Sequence, residues 1–155
     1  MNLSAHFELA EFVISQTATR MGIDNTPPEW AIDNLQNLCV KVLEPLREAL
    51  GQVVITSGYR CAALNKAIGG STASAHMEGK AADISVKGKT LAEVYNWLQA
   101  NAKVLMYDQI IREFPPGGWI HVGFDPARNR RQNLLASRGK DGKTSYSVQD
   151  APVGA

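Results

Sequence analysis

Apolar residues recur at steps of three and four along one stretch of the chain. Ile32, Leu35, Cys39, Val42, Leu46 and Leu50 make a single stripe, the mark of a helix with one buried face. Thr26-Pro27-Pro28-Glu29 supplies a start: Thr26 as cap, Pro27 at the first helical position, and Glu29 three residues after the cap for the reciprocal bonds. Pro45 falls inside the stripe and predicts a kink or a break there, and Gly51 ends it. Ahead of this helix, Leu3 to Arg20 reads as a small helical unit with Ser4 as candidate cap. A second capping box, Thr90 with Glu93, opens a helix whose Leu91, Val94, Tyr95 and Leu98 share a face.

Other segments follow the two-residue period of strands. Gln52 to Ser57 is short, apolar and β-branched, and Ala82 to Val86 is similar. Between them, Cys61 to Ile68 reads as a short helix closed by Gly69-Gly70, and Ser71 to Lys80 as a loop of small and polar residues. Gln109 to Phe114 and Trp119 to Phe124 flank Pro115-Pro116-Gly117-Gly118, a hairpin signal. Arg131 to Ala136 reads as an edge strand, and the polar residues after Ser137 as loosely ordered. The pattern predicts an α+β fold: a small, mainly antiparallel sheet packed against N-terminal helices. Residues 1–136 are expected to form one domain and 137–155 a polar tail.

Composition narrows the function classes. With 155 residues, 45% hydrophobic and 20% charged, the chain suffices for a single core that buries roughly two thirds of the unfolded surface. Sixteen basic residues against fifteen acidic ones leave a charge of +1, which gives no reason to expect nucleic acid as partner. Residues 128–143 depart from this balance, with six basic side chains and one acid, Asp141. They read as a solvated tail or as a weak attachment to an anionic surface. No apolar run is long enough to span a membrane, and the first residues, Met1-Asn2-Leu3-Ser4-Ala5-His6, lack the basic and apolar regions of a signal peptide. Cys39 and Cys61 have no metal-binding spacing and are expected as reduced core thiols. A cytosolic synthesis and a monomeric state are therefore expected.

The chemistry concentrates on histidine, of which there are three: His6, His76 and His121. His76 lies in a small-residue loop seven positions before Asp83, with Gly79, Ala81 and Ala82 between them, so imidazole and carboxylate can converge. His121 lies in Trp119-Ile120-His121-Val122-Gly123-Phe124. Alternation assigns Ile120, Val122 and Phe124 to the core and points His121 with Trp119 the other way. Two imidazoles and a carboxylate form a catalytic zinc shell that leaves a position for water. The competing reading is a pair of hydrogen-bonded core histidines. His6 reads as structural.

Ser74-x-His76-x-x-Gly79-x-Ala81-x-Asp83, followed by Trp119-x-His121, resembles the signature of the zinc D-alanyl-D-alanine carboxypeptidases, peptidase family M15. Ser57-Gly58-Tyr59-Arg60 with Leu64-Asn65 is similar to the segment that precedes the first ligand in that family. Ser4-x-His6-Phe7 and Leu43-Glu44-Pro45-Leu46-Arg47 resemble its small phage and prophage branch. The resemblance implies one Zn2+ per chain held by His76, Asp83 and His121. It implies a peptidase acting on the stem peptide of peptidoglycan, either a D-Ala-D-Ala carboxypeptidase or an L-Ala-D-Glu endopeptidase. Such an enzyme would reach the wall after phage-assisted release or as part of a virion.

A hydrolase of this kind needs a base. Many family members carry an acid three residues before the last histidine, where this chain has Gly118. Glu113 is the candidate instead. A three-residue Pro115-Pro116-Gly117 turn would pair residues 113 and 119 and set Glu113 on the His121 face. A four-residue turn would put Arg112 there. Asp108 is the second candidate. Arg60 is expected to bind a substrate carboxylate or the oxyanion, with Ser74 and Trp119 beside the substrate. Gly118 also leaves open a non-catalytic wall-binding or virion structural module that keeps the fold.

Overall fold

A computed structural model describes residues 1–154. Six strands form one sheet in the order β1-β2-β4-β3-β5-β6: β1 (Val53–Ser57), β2 (Ala81–Val86), β3 (Gln109–Glu113), β4 (Trp119–Gly123), β5 (Gln132–Arg138) and β6 (Thr144–Val148). All neighbours are antiparallel except β3 and β5, which run parallel. The fold is the α+β class that the periodicities predict.

One face of the sheet is the core face. Ile84, Ile120, Val122 and Ile110 are fully buried there. Helix α6 (Leu91–Ala100) covers them with Val94, Tyr95 and Leu98, and its Thr90–Glu93 capping box is formed as expected. The long helix supplies Leu35, Leu38, Val42 and Leu46 to the same core. It runs as α3 (Glu29–Leu38), a π turn at Cys39–Leu43, and α4 (Glu44–Leu50). Pro45 neither breaks nor cuts it. The wider π turn, closed by Glu44 N–H donating to Cys39 O, accommodates a residue that has no N–H of its own and crowds the preceding turn.

Several expectations need correction. The helix cap is Pro28, not Thr26. Pro28 disfavours helical geometry at Pro27, and Thr26 gives both its N–H and its hydroxyl to Asp24 Oδ1 (3.0 and 2.6 Å). Ser4 caps no helix either: with His6 it binds the Glu44 carboxylate, while α1 (Leu9–Val13) begins after Glu8. Strand β5 is interior rather than an edge, because the segment after Ser137 adds β6 outside it. The residues beyond β6 are also held. Tyr95 Oη donates to Gln149 O at 2.6 Å, and Asn96 bonds both backbone groups of Val153 at 2.7 Å. Side chains of α6 thus satisfy the backbone of a segment whose own polar composition gives no sign of order.

Cys39 is buried as expected. Cys61 is only partly buried, and its Sγ accepts the Leu64 N–H to cap α5 (Ala62–Ala67). Among the described residues, no helix is long and apolar enough to cross a membrane.

Candidate metal centre

The other face of the sheet carries polar chemistry. Asp83 in β2 stands directly opposite His121 in β4, and directly opposed residues share a face. His76 reaches the same point from a single 3-10 turn, Ala75–Glu78, whose cap is Ser74. Gly79 ends that turn with φ +71°, and a Cβ there would strike the carbonyl of Ala31 at the start of α3. Asn34 Nδ2, one turn further along α3, donates to Glu78 O at 2.8 Å. The loop is therefore clamped on the long helix, with His76 directed inward.

His76, Asp83 and His121 each offer a ligand atom within 4.8 Å of the other two. His76 Nε2 lies 3.3 Å and His121 Nδ1 3.2 Å from the same oxygen, Asp83 Oδ1. The other ring nitrogen of His76, Nδ1, lies 2.8 Å from Gly58 O. A carbonyl can only accept, so Nδ1 carries the proton, and in a neutral ring Nε2 turns a lone pair toward the carboxylate. The 3.3 Å contact therefore needs either a second proton on the ring or a metal ion shared by the two atoms. Burial lowers the His76 pKa against the pull of Asp83, which disfavours a second proton on the ring. Burial also raises the Asp83 pKa, but the His121 hydrogen bond, with the second imidazole of His76 beside it, outweighs this and leaves the carboxyl below its usual range. Neutral imidazole and ionised carboxylate are the ligand forms that a divalent ion needs. The spacing fits as well, since atoms about 2.0–2.1 Å from a tetrahedral zinc stand roughly 3.3–3.4 Å apart. The donor set fits zinc.

Glu113 lies directly opposite Trp119, two residues along β4 from His121, so its carboxylate rises on the metal face. The turn confines itself to Pro115–Gly117, which excludes the register that would substitute Arg112. Arg112 faces the other way and bonds Gln149 Oε1. At Gly118 an added Cβ would collide with the carbonyl oxygen of Glu113, so this hairpin has no room for a side chain at position 118. Burial, then the charge of Asp83, raises the Glu113 pKa, opposed by His121, Trp119 and Arg60. Asp108 is differently placed. Arg130 binds it through Nε (2.8 Å), Nη2 (3.0 Å) and its backbone N–H (3.2 Å), and Arg128 adds Nη2 at 3.3 Å.

Arg60 follows β1 in a turn fixed from both sides. Tyr59 N–H donates to Phe12 O at 2.7 Å, and Arg60 N–H donates to His76 O at 3.1 Å. Buried Asn25 bridges this turn to α1 by donating to Val13 O and Tyr59 O while accepting from Cys61 N–H. Arg60 Nη2 reaches Ser74 Oγ at 3.4 Å. Its buried Nε has no acceptor, whereas the buried Trp119 Nε1 is turned toward Glu113 without a hydrogen bond of normal geometry. An orphaned guanidinium donor beside a convergent ligand set is a place for an acceptor of a bound molecule. Arg60, Ser74, Glu113, Trp119 and the three metal candidates all line one cleft of about 690 Å3.

A family model described as Peptidase M15 matches residues 5–122. The chain belongs to this family. Membership in Peptidase M15 supports a zinc-dependent peptidase of the peptidoglycan-acting kind. No curated protein matches the chain. The M15 match contains the whole constellation above and ends before β5. Sequence reasoning did not place Arg138, Thr144 and Tyr146 in the cleft, yet they line it from β5 and β6. Their only signals are the basic run and the alternation of Thr144-Ser145-Tyr146.

Proposed function

We propose that this M15 protein, as a single peptidase domain, hydrolyses a peptide bond in the stem peptide of peptidoglycan, with zinc held by His76, Asp83 and His121. Bound there, zinc would acidify a water molecule and polarise the scissile carbonyl. The remaining work falls to the chain's own residues. Glu113 accepts a proton from the attacking water and returns it to the leaving amine, and its raised pKa suits both transfers. Arg60 binds a substrate carboxylate or steadies the developing oxyanion, and Ser74 holds the guanidinium in place. Trp119 walls the cleft beside the substrate. Asp108 is occupied by two arginines and is left out of the proton transfer.

One observation carries this reading: the Glu113–Trp119 register puts a carboxylate beside the metal candidates. It supports an enzyme over a binding module, because Gly118 is accompanied by an acid from the facing strand. The bond cut is of the D-Ala-D-Ala carboxypeptidase or the L-Ala-D-Glu endopeptidase type, and the biological setting is a phage or prophage wall lysin. Digestion of purified peptidoglycan, with mass analysis of the released peptides, tests both. A loss of one alanine identifies the carboxypeptidase, and a new D-Glu amino terminus identifies the endopeptidase. Intact stem peptides after incubation with zinc-loaded protein would sink the proposal.

A further inference from the structure

The strands beyond the family match continue the metal face. Glu113 in β3 pairs with both Trp119 in β4 and Ala136 in β5, and Ala136 pairs with Tyr146 in β6. Directly opposed residues share a face, so Trp119, Glu113, Ala136 and Tyr146 form one row across four strands. Neighbouring strands stand roughly 4.8 Å apart, so Glu113 and Tyr146 are separated by about 10 Å at the backbone. The residue between them, Ala136, is fully buried and contributes only a methyl group, which leaves the phenol free to lean toward Glu113. Partial burial against the wall, then the charges of Glu113 and Asp83, raise the Tyr146 pKa. The hydroxyl keeps its proton within the field of both carboxylates.

The next row along the same face pairs Arg138 with Thr144. The Arg138 guanidinium lies 4.7 Å above the Phe114 ring, and Phe114 meets Trp119 edge-on at 5.6 Å. A cation is thus stacked at the rim of the cleft, and it has no carboxylate partner among the described residues. Arg60 lies beyond β1 at one end of the cleft, and Arg138 and Tyr146 lie on β5 and β6 at the other.

We propose that the β5–β6 hairpin is a carboxylate-binding subsite, in which the Arg138 guanidinium and the Tyr146 hydroxyl hold an acidic group of the substrate on the opposite side of Glu113 from Arg60. This rests on the peptidase reading and adds to it a substrate class: a peptide with a carboxylate beyond the one met by Arg60. At neutral pH the guanidinium is a charged donor and the phenol adds one O–H donor, so an amide in place of the carboxylate forfeits the charge-assisted part of the contact.

The test compares initial rates of zinc-loaded wild type, Arg138→Gln, Arg138→Lys and Tyr146→Phe on two synthetic stem peptides, one with free carboxylates and one with those groups amidated. Both side chains are exposed, so these variants should fold, and their zinc content and melting temperature should match wild type. Arg138→Gln and Tyr146→Phe should each raise KM for the acidic peptide about tenfold with kcat nearly unchanged. The amidated peptide should change by less than about twofold, and Arg138→Lys should recover part of the loss. Unchanged KM on the acidic peptide, or equal losses on both peptides, would overturn the subsite while leaving the peptidase reading in place. Zinc-loaded wild type without turnover would instead sink that reading. Calorimetric titration of the same peptides then decides the subsite alone: weaker binding by the variants of the acidic peptide only upholds it, and no difference or no binding overturns it.

Discussion

His76 Nδ1 donates to the carbonyl of Gly58 at 2.8 Å, and this one bond fixes which nitrogen of the ring faces Asp83. The Gly58 carbonyl belongs to the same Ser57-Gly58-Tyr59-Arg60 turn that presents Arg60, so the candidate metal ligand and the arginine proposed to meet substrate share a support. Removing the imidazole leaves two ligands of three. The His76→Ala protein should hold almost no zinc after dialysis, against one zinc per chain in wild type, as read by atomic emission. Zinc retained at wild-type level would refute the ligand set.

Glu113→Gln keeps the shape of the side chain and removes its proton chemistry. Turnover should fall about 10²–10⁴-fold while zinc stoichiometry stays at wild-type level. A rate assay on a stem peptide, paired with metal analysis, separates this outcome from loss of the metal. Wild-type turnover in this variant would remove Glu113 from the mechanism.

The contact between Gly118 and the Glu113 carbonyl predicts an unusual sensitivity to a single methyl group. Gly118→Ala should destabilise the protein by about 1–3 kcal/mol and displace Glu113, lowering activity as well. Installing an acid at this position should not help: Glu113→Gln with Gly118→Glu should remain inactive. Thermal melts and rate assays check both statements, and a rescued double variant would contradict the geometry.

Asp108 offers a pH test at a carboxylate that is not one of the candidate metal ligands. Burial raises its pKa, but the bonds from Arg130 and then the charge of Arg128 outweigh this and lower it. A carboxyl depressed on folding stabilises the protein above its unfolded value, about 3.9, and that contribution disappears as pH falls through the lower folded value. Asp108→Asn should therefore cost about 1–2 kcal/mol near neutral pH, a modest figure because both arginines are largely exposed. The gap to wild type should narrow as pH drops below about 4. Denaturant melts at a series of pH values measure it; a gap that widens on acidification has the wrong sign.

Much of this architecture was legible because it is local. Two-residue alternation separates Ile120 and Val122 from His121, and the length of a proline turn sets Glu113 against Trp119. The Thr90–Glu93 box reads directly as a helix start. Other features depend on partners that periodicity does not reveal. The Asp24 carboxylate takes the groups of Thr26 that a helix cap would use, and both residue types are good caps. Strand β6 buries none of its side chains, since all five residues are exposed. It exists because β5 offers it an edge, and β5 in turn because β3 does. The place of Arg138 and Tyr146 in the cleft depends on that whole series of registers, and charge and composition alone do not encode it.

The parallel pairing of β5 with β3 also has a consequence in time. Every candidate ligand and the candidate base are present once residue 121 has been made, and β3 must be in place before β5 has a partner. At synthesis rates of about 5–20 residues per second, Tyr146 follows His121 by roughly one to five seconds. The strands that carry the candidate ligands therefore precede, along the chain and in synthesis, the wall opposite Arg60 that Arg138 and Tyr146 build.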